Sequence, residues 1–490
     1  MRSVGERTQR AAILQLAVKA ILIVGGMAQQ IVVARIVDPS VYGLIGMVML
    51  TIAFLTVFSE TGVAGSIILE ESIGTNELDF AWTLQVFRGV VLGVVAFSVA
   101  PLAASFFGQP DLVNLLRFAA IGPFFTGLAS PRLLQLRREL AYGRLSALQL
   151  SNLFVNLGVS IPLAIMWRNA WALLVPFVLA SVVRSALSYV LAPHRSRWFW
   201  DQEMAARFSR FGRWAFVNNI LHYVINEADK LVIGRMLNPA SLGLYSMAHR
   251  IGNMPFSEFG GVIGEVAFPS FRKAESHIQS AFLKLFGTSF LVTAPAATGL
   301  GLIAPTLVQL ILGDQWTGIV LPLQILCGWA VVRSLSVVTG PLFNALGRPD
   351  IQTRIATIYA IVLVIGLIPA ISQWGIVGSA IALTVSTAFM VPIIMRFAHN
   401  LIHFDIRLLL RLTMVPLAAS TVMALGVVVV NLILDKIHVL VLLGISIGTG
   451  MLTYIACIAA AKQFLGYSGA DTILVSLGAL STRIRRLGRA

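Results

Sequence analysis

Ionisable side chains inside otherwise apolar segments are the residues of this sequence that can take part in chemistry. The segments are about 20 residues or longer, which is enough to cross a bilayer. A charge near the centre of a membrane helix costs about 2.5–3.5 kcal/mol, so we expect these side chains to face a water-filled cavity or one another. They are Lys19, Arg88, Arg117, Arg184, Lys230, Arg250 and Arg333, with Glu60, Glu227, Asp229, Glu258 and Glu265.

Most of these charges belong to a few of the apolar segments, which predicts a polar cleft between two groups of helices. Its seven cations outnumber its five anions, so the cleft favours a substrate with an anionic group. Arginine is well suited to phosphate because its planar guanidinium presents a fork of donors. Structural alternatives stay open: Glu227 and Lys230 are spaced to pair with each other on one helix, and Arg117 and Arg184 are close enough to a membrane face to snorkel.

The segments that must position these charges number about fourteen, and each reads as a transmembrane helix. Of the 36 Lys and Arg, 25 fall in alternate gaps and termini and only four in the opposite gaps. Basic residues accumulate on the cytoplasmic side of a membrane, so both termini are expected in the cytoplasm. The spans lie at roughly 11–35, 41–68, 80–105, 112–136, 145–166, 169–192, 214–237, 240–268, 281–304, 318–345, 353–372, 375–396, 411–433 and 438–461.

Composition and loop length exclude several classes of function. The chain is 57% hydrophobic and 12% charged, so its net charge of +15 reflects basic loops beside membrane helices and not nucleic-acid binding. The gaps between spans are too short for a soluble catalytic domain, and no nucleotide-binding or metalloprotease motif is found. Cys327 and Cys457 both lie in apolar segments. We therefore expect no enzyme activity, no cofactor and no metal site.

An internal repeat indicates what the helices do. Residues 34–47 and 234–247 align at an offset of 200, and both lie between the first and second helices of a six-helix set. The matched pairs are Arg35 and Arg235, Asp38 and Asn238, Pro39 and Pro239, Gly43 and Gly243, Leu44 and Leu244, and Met47 and Met247. Parallel repeats of this kind are typical of transporters. The expected domains are six-helix bundles at 1–200 and 201–400, and two further helices with a basic tail at 401–490.

The repeated turn also has a local structural interpretation. Asp38 and Asn238 are good helix N-caps, and a proline is well tolerated at the first helical position because its missing N–H has no partner there. This interpretation explains each copy separately. It does not explain why the pattern occurs twice, whereas duplication does.

The segment from Asn226 to Arg250 resembles the seventh and eighth helices of Wzx-type bacterial polysaccharide flippases. It reads Asn-Glu-Ala-Asp-Lys-Leu-Val-Ile-Gly-Arg-Met-Leu-Asn-Pro-Ala-Ser-Leu-Gly-Leu-Tyr-Ser-Met-Ala-His-Arg. It departs from the family pattern at Asn238, where glycine is usual, and at His249, where tyrosine is expected. Further similar segments are Ala34-Arg35, Asp38-Pro39, Tyr42-Gly43, Phe268-Pro269 before Arg272, Leu312–Trp316, Gly340-Pro341 and Asn344–Pro349.

The resemblance implies an exporter of the multidrug/oligosaccharidyl-lipid/polysaccharide superfamily. Its implied substrate is an undecaprenyl-pyrophosphate-linked oligosaccharide, moved across the bacterial inner membrane for exopolysaccharide or lipopolysaccharide synthesis. The polymerase machinery is a further expected partner. The resemblance carries over Asp229 and Arg250 as motif positions. Together with the charge pattern, it leads us to expect pyrophosphate binding by Lys19, Arg88, Arg250 and Arg333, and coupling to H⁺ or Na⁺ by Glu60, Asp229 and Glu258.

Two other functions stay open on the sequence alone. An ion-coupled small-molecule or drug antiporter of the same superfamily would favour a cleft of net negative charge, and this one is net positive. A scaffold that transports nothing would not need buried charges on several helices.

Overall fold

The computed structural model describes residues 4–59, 74–139, 141–274, 277–434, 438–465 and 467. These residues form helices joined by short turns, with no strand among them. The helices are α1 (Val4–Ile36), α2 (Pro39–Ser59), α3 (Thr75–Phe107), α4 (Leu112–Ala119), α5 (Ile121–Gly127), α6 (Arg132–Arg138), α7 (Tyr142–Trp167), α8 (Trp171–Leu191), α9 (Gln202–Met236), α10 (Pro239–Lys273), α11 (Ile278–Leu307), α12 (Val320–Ser334), α13 (Thr339–Ala345), α14 (Pro349–Ile402), α15 (Ile406–Ile433) and α16 (Val439–Leu465).

Within the described residues, ten helices are long and apolar enough to cross a membrane. The all-helical membrane fold is therefore confirmed, and the chain is a multi-pass membrane protein. The ten do not include α9 and α10, which have 35 residues each and carry more ionisable side chains. At about 1.5 Å per residue both are longer than the bilayer core is thick. The count of about fourteen spans thus stays a prediction.

Helix α14 is a hairpin of two helices. A straight helix of 54 residues would be roughly 80 Å long. The hydroxyl oxygens of Tyr359 and Thr387 are nevertheless 3.1 Å apart, so the chain must reverse between them. It reverses at Gly375, whose φ of 56° favours glycine, and the backbone of Gly378 then lies against the carbonyl of Ala370. The two arms occupy the positions of the spans expected at 353–372 and 375–396.

The single span expected at 112–136 is wrong in detail, because the structure divides it into α4, α5 and α6. Pro123 explains the first break: it has no N–H to donate to a carbonyl of the preceding turn, and it is tolerated in the first turn of a new helix. The second break precedes α6. There the backbone N–H of Ser130 donates to the Ser188 hydroxyl at 2.8 Å, and its own hydroxyl donates to the Ala192 carbonyl at 2.7 Å.

The chain forms two compact units, Met1–Leu244 and Tyr245–Ala490. In the first unit, α9 packs along α2, although the sequence places α9 in the second repeat. The Tyr223 hydroxyl donates to the Leu50 carbonyl at 3.1 Å, and the rings of Phe58 and Phe216 are 5.7 Å apart. The boundary near residue 200 is a boundary between sequence repeats and differs from the boundary between compact units at Leu244. The repeat boundary stays a prediction from the sequence.

The second unit has a large aromatic core around α11, α15 and α16. Phe282, Phe286 and Phe404 are stacked within it, and each is almost completely buried. The Tyr454 hydroxyl donates to the Leu291 carbonyl at 2.7 Å, which ties α16 to α11. This packing makes the two C-terminal helices part of the second unit.

The repeated turn has the same form in both copies. Helix α1 ends at Ile36 and α2 begins at Pro39, while α9 ends at Met236 and α10 begins at Pro239. The expected N-cap is confirmed at Asn238, whose side-chain oxygen accepts a hydrogen bond from the backbone N–H of Ser241 at 2.8 Å. The duplication read from the sequence therefore corresponds to a duplicated helix–turn–helix.

We predict that α9 and α10 each cross the membrane despite their charges. Reporter fusions after Arg197 and Lys273 should be cytoplasmic and a fusion after Asn238 external, because basic residues concentrate in the first two regions. Fusions after Phe107, Asn169 and Gly313 (external) and after Arg407 (cytoplasmic) are the positive controls. A reporter after Asn238 on the same side as those after Arg197 and Lys273 would contradict the prediction.

Candidate functional site

Arg333 has the best-defined surroundings of the predicted substrate-binding residues. It lies near the end of α12, and its guanidinium carbon is 4.4 Å from the ring centre of Phe256 and 4.8 Å from that of Trp329. One guanidinium nitrogen donates to the side-chain oxygen of Asn253 at 3.2 Å. Helices α10 and α12 thus hold this arginine from two sides. We call Arg333, Asn253, Phe256 and Trp329 the arginine seat.

The arginine seat contains no counter-charge. Within the described part of the chain, no Asp or Glu forms an ion pair with Arg333. The aromatic faces attract the cation, and Asn253 accepts from one of its five N–H donors. A half-buried arginine that donates a single side-chain hydrogen bond within the described residues is electrostatically suited to receive an anion.

A second layer of hydrogen bonds fixes Trp329. Its indole N–H donates to the Thr387 hydroxyl at 2.9 Å, and Thr387 also contacts the Tyr359 hydroxyl. The His249 ring centre lies 5.3 Å from that of Trp329. Tyr359 and Thr387 belong to the two arms of the α14 hairpin, so both arms contribute to this layer. The hydrogen bond to Thr387 fixes the orientation of the indole ring on which the Arg333 guanidinium lies.

Sequence reasoning identified Arg333 and missed the rest of the seat. The spacing indicates part of the arrangement, because Trp329 lies one helical turn before Arg333 and Asn253 lies one turn before Phe256, so each pair shares a helix face. Nothing in the sequence indicates that these two pairs meet. The structure brings them together within the second unit.

Glu227 and Asp229, near the end of α9, have different surroundings. Glu227 and Lys230 form the expected pair, with 2.7 Å between carboxylate oxygen and ammonium nitrogen, so this pairing is confirmed. Asp229 is only 1% exposed, and its carboxylate accepts the backbone N–H of Lys230 at 2.8 Å. The Lys230 ammonium is therefore directed to Glu227.

The other predicted site residues are on α1, α3 and α10. Lys19 is exposed, and half-buried Arg88 donates through Nε to the Ser59 hydroxyl at 2.9 Å. Arg250 is exposed, and half-buried Glu258 forms no ion pair among the described residues. Glu60 and the side chain of Glu265 lie outside the described residues.

Arg117 also lies over an aromatic ring, with its guanidinium carbon 4.9 Å from the ring centre of Phe97, but its side chain is exposed. The expectation that it snorkels to a membrane face stays a prediction. The described residues contain no group of His, Cys, Asp and Glu arranged to hold a metal ion.

Comparison with known proteins shows the family of this chain. Residues 32–321 match the family described as polysaccharide biosynthesis protein. The chain belongs to this family. Within it, the chain is similar to the lipopolysaccharide biosynthesis protein WzxC of Escherichia coli (strain K12), with 26% identity over 374 residues that cover 75% of each protein. The expected relationship to Wzx-type polysaccharide flippases is confirmed.

Solved structures share the fold of this chain. The lipid II flippase MurJ in an inward closed conformation matches with a TM-score of 0.78, covering 92% of this chain and 99% of that one at 14% identity. A multidrug resistance transporter of the MATE family, inward-facing, matches with a TM-score of 0.62, covering 79% and 97% at 16% identity. At these identities the fold is the shared property.

Proposed function

We propose that this protein is a flippase for an undecaprenyl-pyrophosphate-linked oligosaccharide in the bacterial cytoplasmic membrane. It moves the lipid-linked sugar from the inner to the outer leaflet, where exopolysaccharide or lipopolysaccharide is assembled by polymerase machinery, and it catalyses no reaction. Both termini lie in the cytoplasm. Membership of the polysaccharide biosynthesis protein family and the fold shared with a lipid II flippase support this proposal.

The observation that carries the proposal is the arginine seat without a counter-charge. A transporter that binds a pyrophosphate needs cations whose charge is not already neutralised by the protein. Arg333 meets that requirement among the described residues, and its planar donors match phosphate oxygens. In the proposed mechanism Lys19, Arg88 and Arg250 supply further positive charge, while the prenyl chain stays in the lipid.

The two repeats then provide alternating access. The headgroup and sugar enter a cationic path from one face of the membrane, and the repeats rearrange to open the other face. Drug antiport, the other function compatible with the fold, has no comparable support, because the seat would repel a cationic drug.

We predict that Arg333→Gln lowers polysaccharide export roughly 10- to 100-fold, since charge-assisted hydrogen bonds contribute about 1.5–3 kcal/mol. Arg333→Lys should restore export only partly, because lysine keeps the charge and loses the stacked fork. Surface polysaccharide is measured in cells, with membrane insertion checked by the amount of monodisperse protein. Arg250→Ala should abolish export while the protein remains inserted in the membrane.

Arg117→Gln is the matched control, because Arg117 also stacks on one aromatic ring inside an apolar segment. Export should persist in this variant. Normal export by inserted Arg333→Gln would remove the seat from the substrate path.

A second prediction concerns the energy source. Asp229 is almost completely buried, and an acidic residue inside a membrane protein is rare and typically functional, so we propose that Asp229 takes part in H⁺ or Na⁺ coupling, with Glu60 and Glu258 as the other candidates. In proteoliposomes, an imposed gradient of the coupling ion should accelerate transport by the wild type and have no effect on Asp229→Asn. Glu227→Gln, the control, should keep the acceleration. Wild-type flux that is indifferent to both gradients would refute coupling.

A further inference from the structure

The two copies of the repeated turn lie directly against each other in the first unit. A Cβ atom added at Gly43 would overlap the carbonyl oxygen of Pro239, and one added at Gly243 would overlap the carbonyl oxygen of Pro39. The Cβ atom added at Gly243 would also lie 3.0 Å from the backbone nitrogen of Gly43. Each glycine thus sits on the proline of the other copy. We call this reciprocal contact the glycine–proline interlock.

The interlock is a contact of backbone with backbone. Only glycine allows it, because any side chain at either position would meet a carbonyl group that cannot turn away as a flexible side chain would. The glycine Cα–H groups face the carbonyl oxygens, as they do at close helix–helix crossings in membranes. The first turns of α2 and α10 are therefore in direct contact, with no gap between them.

The ends of α3 and α9 pack together beside the interlock. Gly234 packs against the ring of Phe107, with 2.9 Å from its Cβ position to the nearest ring atom. The guanidinium of Arg235 lies 5.7 Å from the ring centre of Phe106. Helix α3 thus ends beside the end of α9, next to the interlock. The predicted topology places all of these residues at the external face.

We propose that the glycine–proline interlock is the external seal of the transport path, made in one conformation and broken in the other. A hydrated sugar cannot pass between two backbones in contact, so the turns must separate when the path opens outward. The reciprocal geometry means that one separation breaks both contacts together. The inference uses the proposed function only in requiring that the chain transports, and it holds for any substrate.

A distance measurement tests the seal without substrate. Spin labels at Ser40→Cys and Ala240→Cys, in a background in which Cys327 and Cys457 are replaced, report the separation of the two turns. Gly43→Ala and Gly243→Ala should each reduce the short-distance population several-fold, because the added methyl group prevents closure. Gly46→Ala is the matched control, since its Cβ would lie 3.5 Å from the Leu242 side chain, an ordinary contact. An unchanged distance distribution in a folded Gly43→Ala or Gly243→Ala protein would overturn the proposal.

A crosslink tests the seal even if the alanine variants do not fold. Joining the same two cysteines with a short reducible thiol crosslinker should abolish transport, and reduction should restore it. Transport by the crosslinked protein at the rate of the reduced protein would overturn the proposal. The distance measurement also separates this inference from the proposed function: a protein whose turns open and close but that moves no lipid-linked sugar would keep the seal and lose the flippase assignment.

Discussion

The low polarity of the bilayer interior is the constraint on which the rest of this structure depends. Inside it, backbone groups must be paired within helices, and a charged side chain must be neutralised, hydrated or held for a purpose. The first requirement accounts for the helical architecture. The second requirement separates the charged side chains of this chain into two kinds. Glu227 and Lys230 neutralise each other, whereas the charge of Arg333 is stabilised by aromatic rings and is not neutralised within the described residues.

The arginine seat shows how a membrane protein can keep a cation ready for a ligand. Aromatic faces attract a guanidinium without neutralising it, so Phe256 and Trp329 hold Arg333 in place while its net charge remains. A carboxylate in the same position would form a permanent ion pair and compete with an anionic substrate. The hydroxyl of Thr387 sets the orientation of Trp329, so the α14 hairpin acts on the seat through the tryptophan.

Periodicity and charge were sufficient to predict the membrane-helix fold, the repeated turn and the Glu227–Lys230 pair, because each depends on residues close together in the chain. The break at Ala120 was missed because hydrophobicity does not register the missing N–H of Pro123. The aromatic partners of Arg333 and the interlock were missed for another reason. Alignment of the repeats paired Gly43 with Gly243, but only tertiary packing places each glycine against the proline of the other copy.

The most direct test of the central claim is flux in a defined membrane. Purified protein is reconstituted in liposomes with a fluorescently labelled undecaprenyl-pyrophosphate oligosaccharide, and label in the outer leaflet is quenched by an impermeant reductant. The account predicts that label from the inner leaflet also becomes quenched at a rate proportional to the amount of protein, and that Arg333→Gln removes most of this rate. Quenching that stops at the outer-leaflet fraction, as in protein-free liposomes, would contradict it.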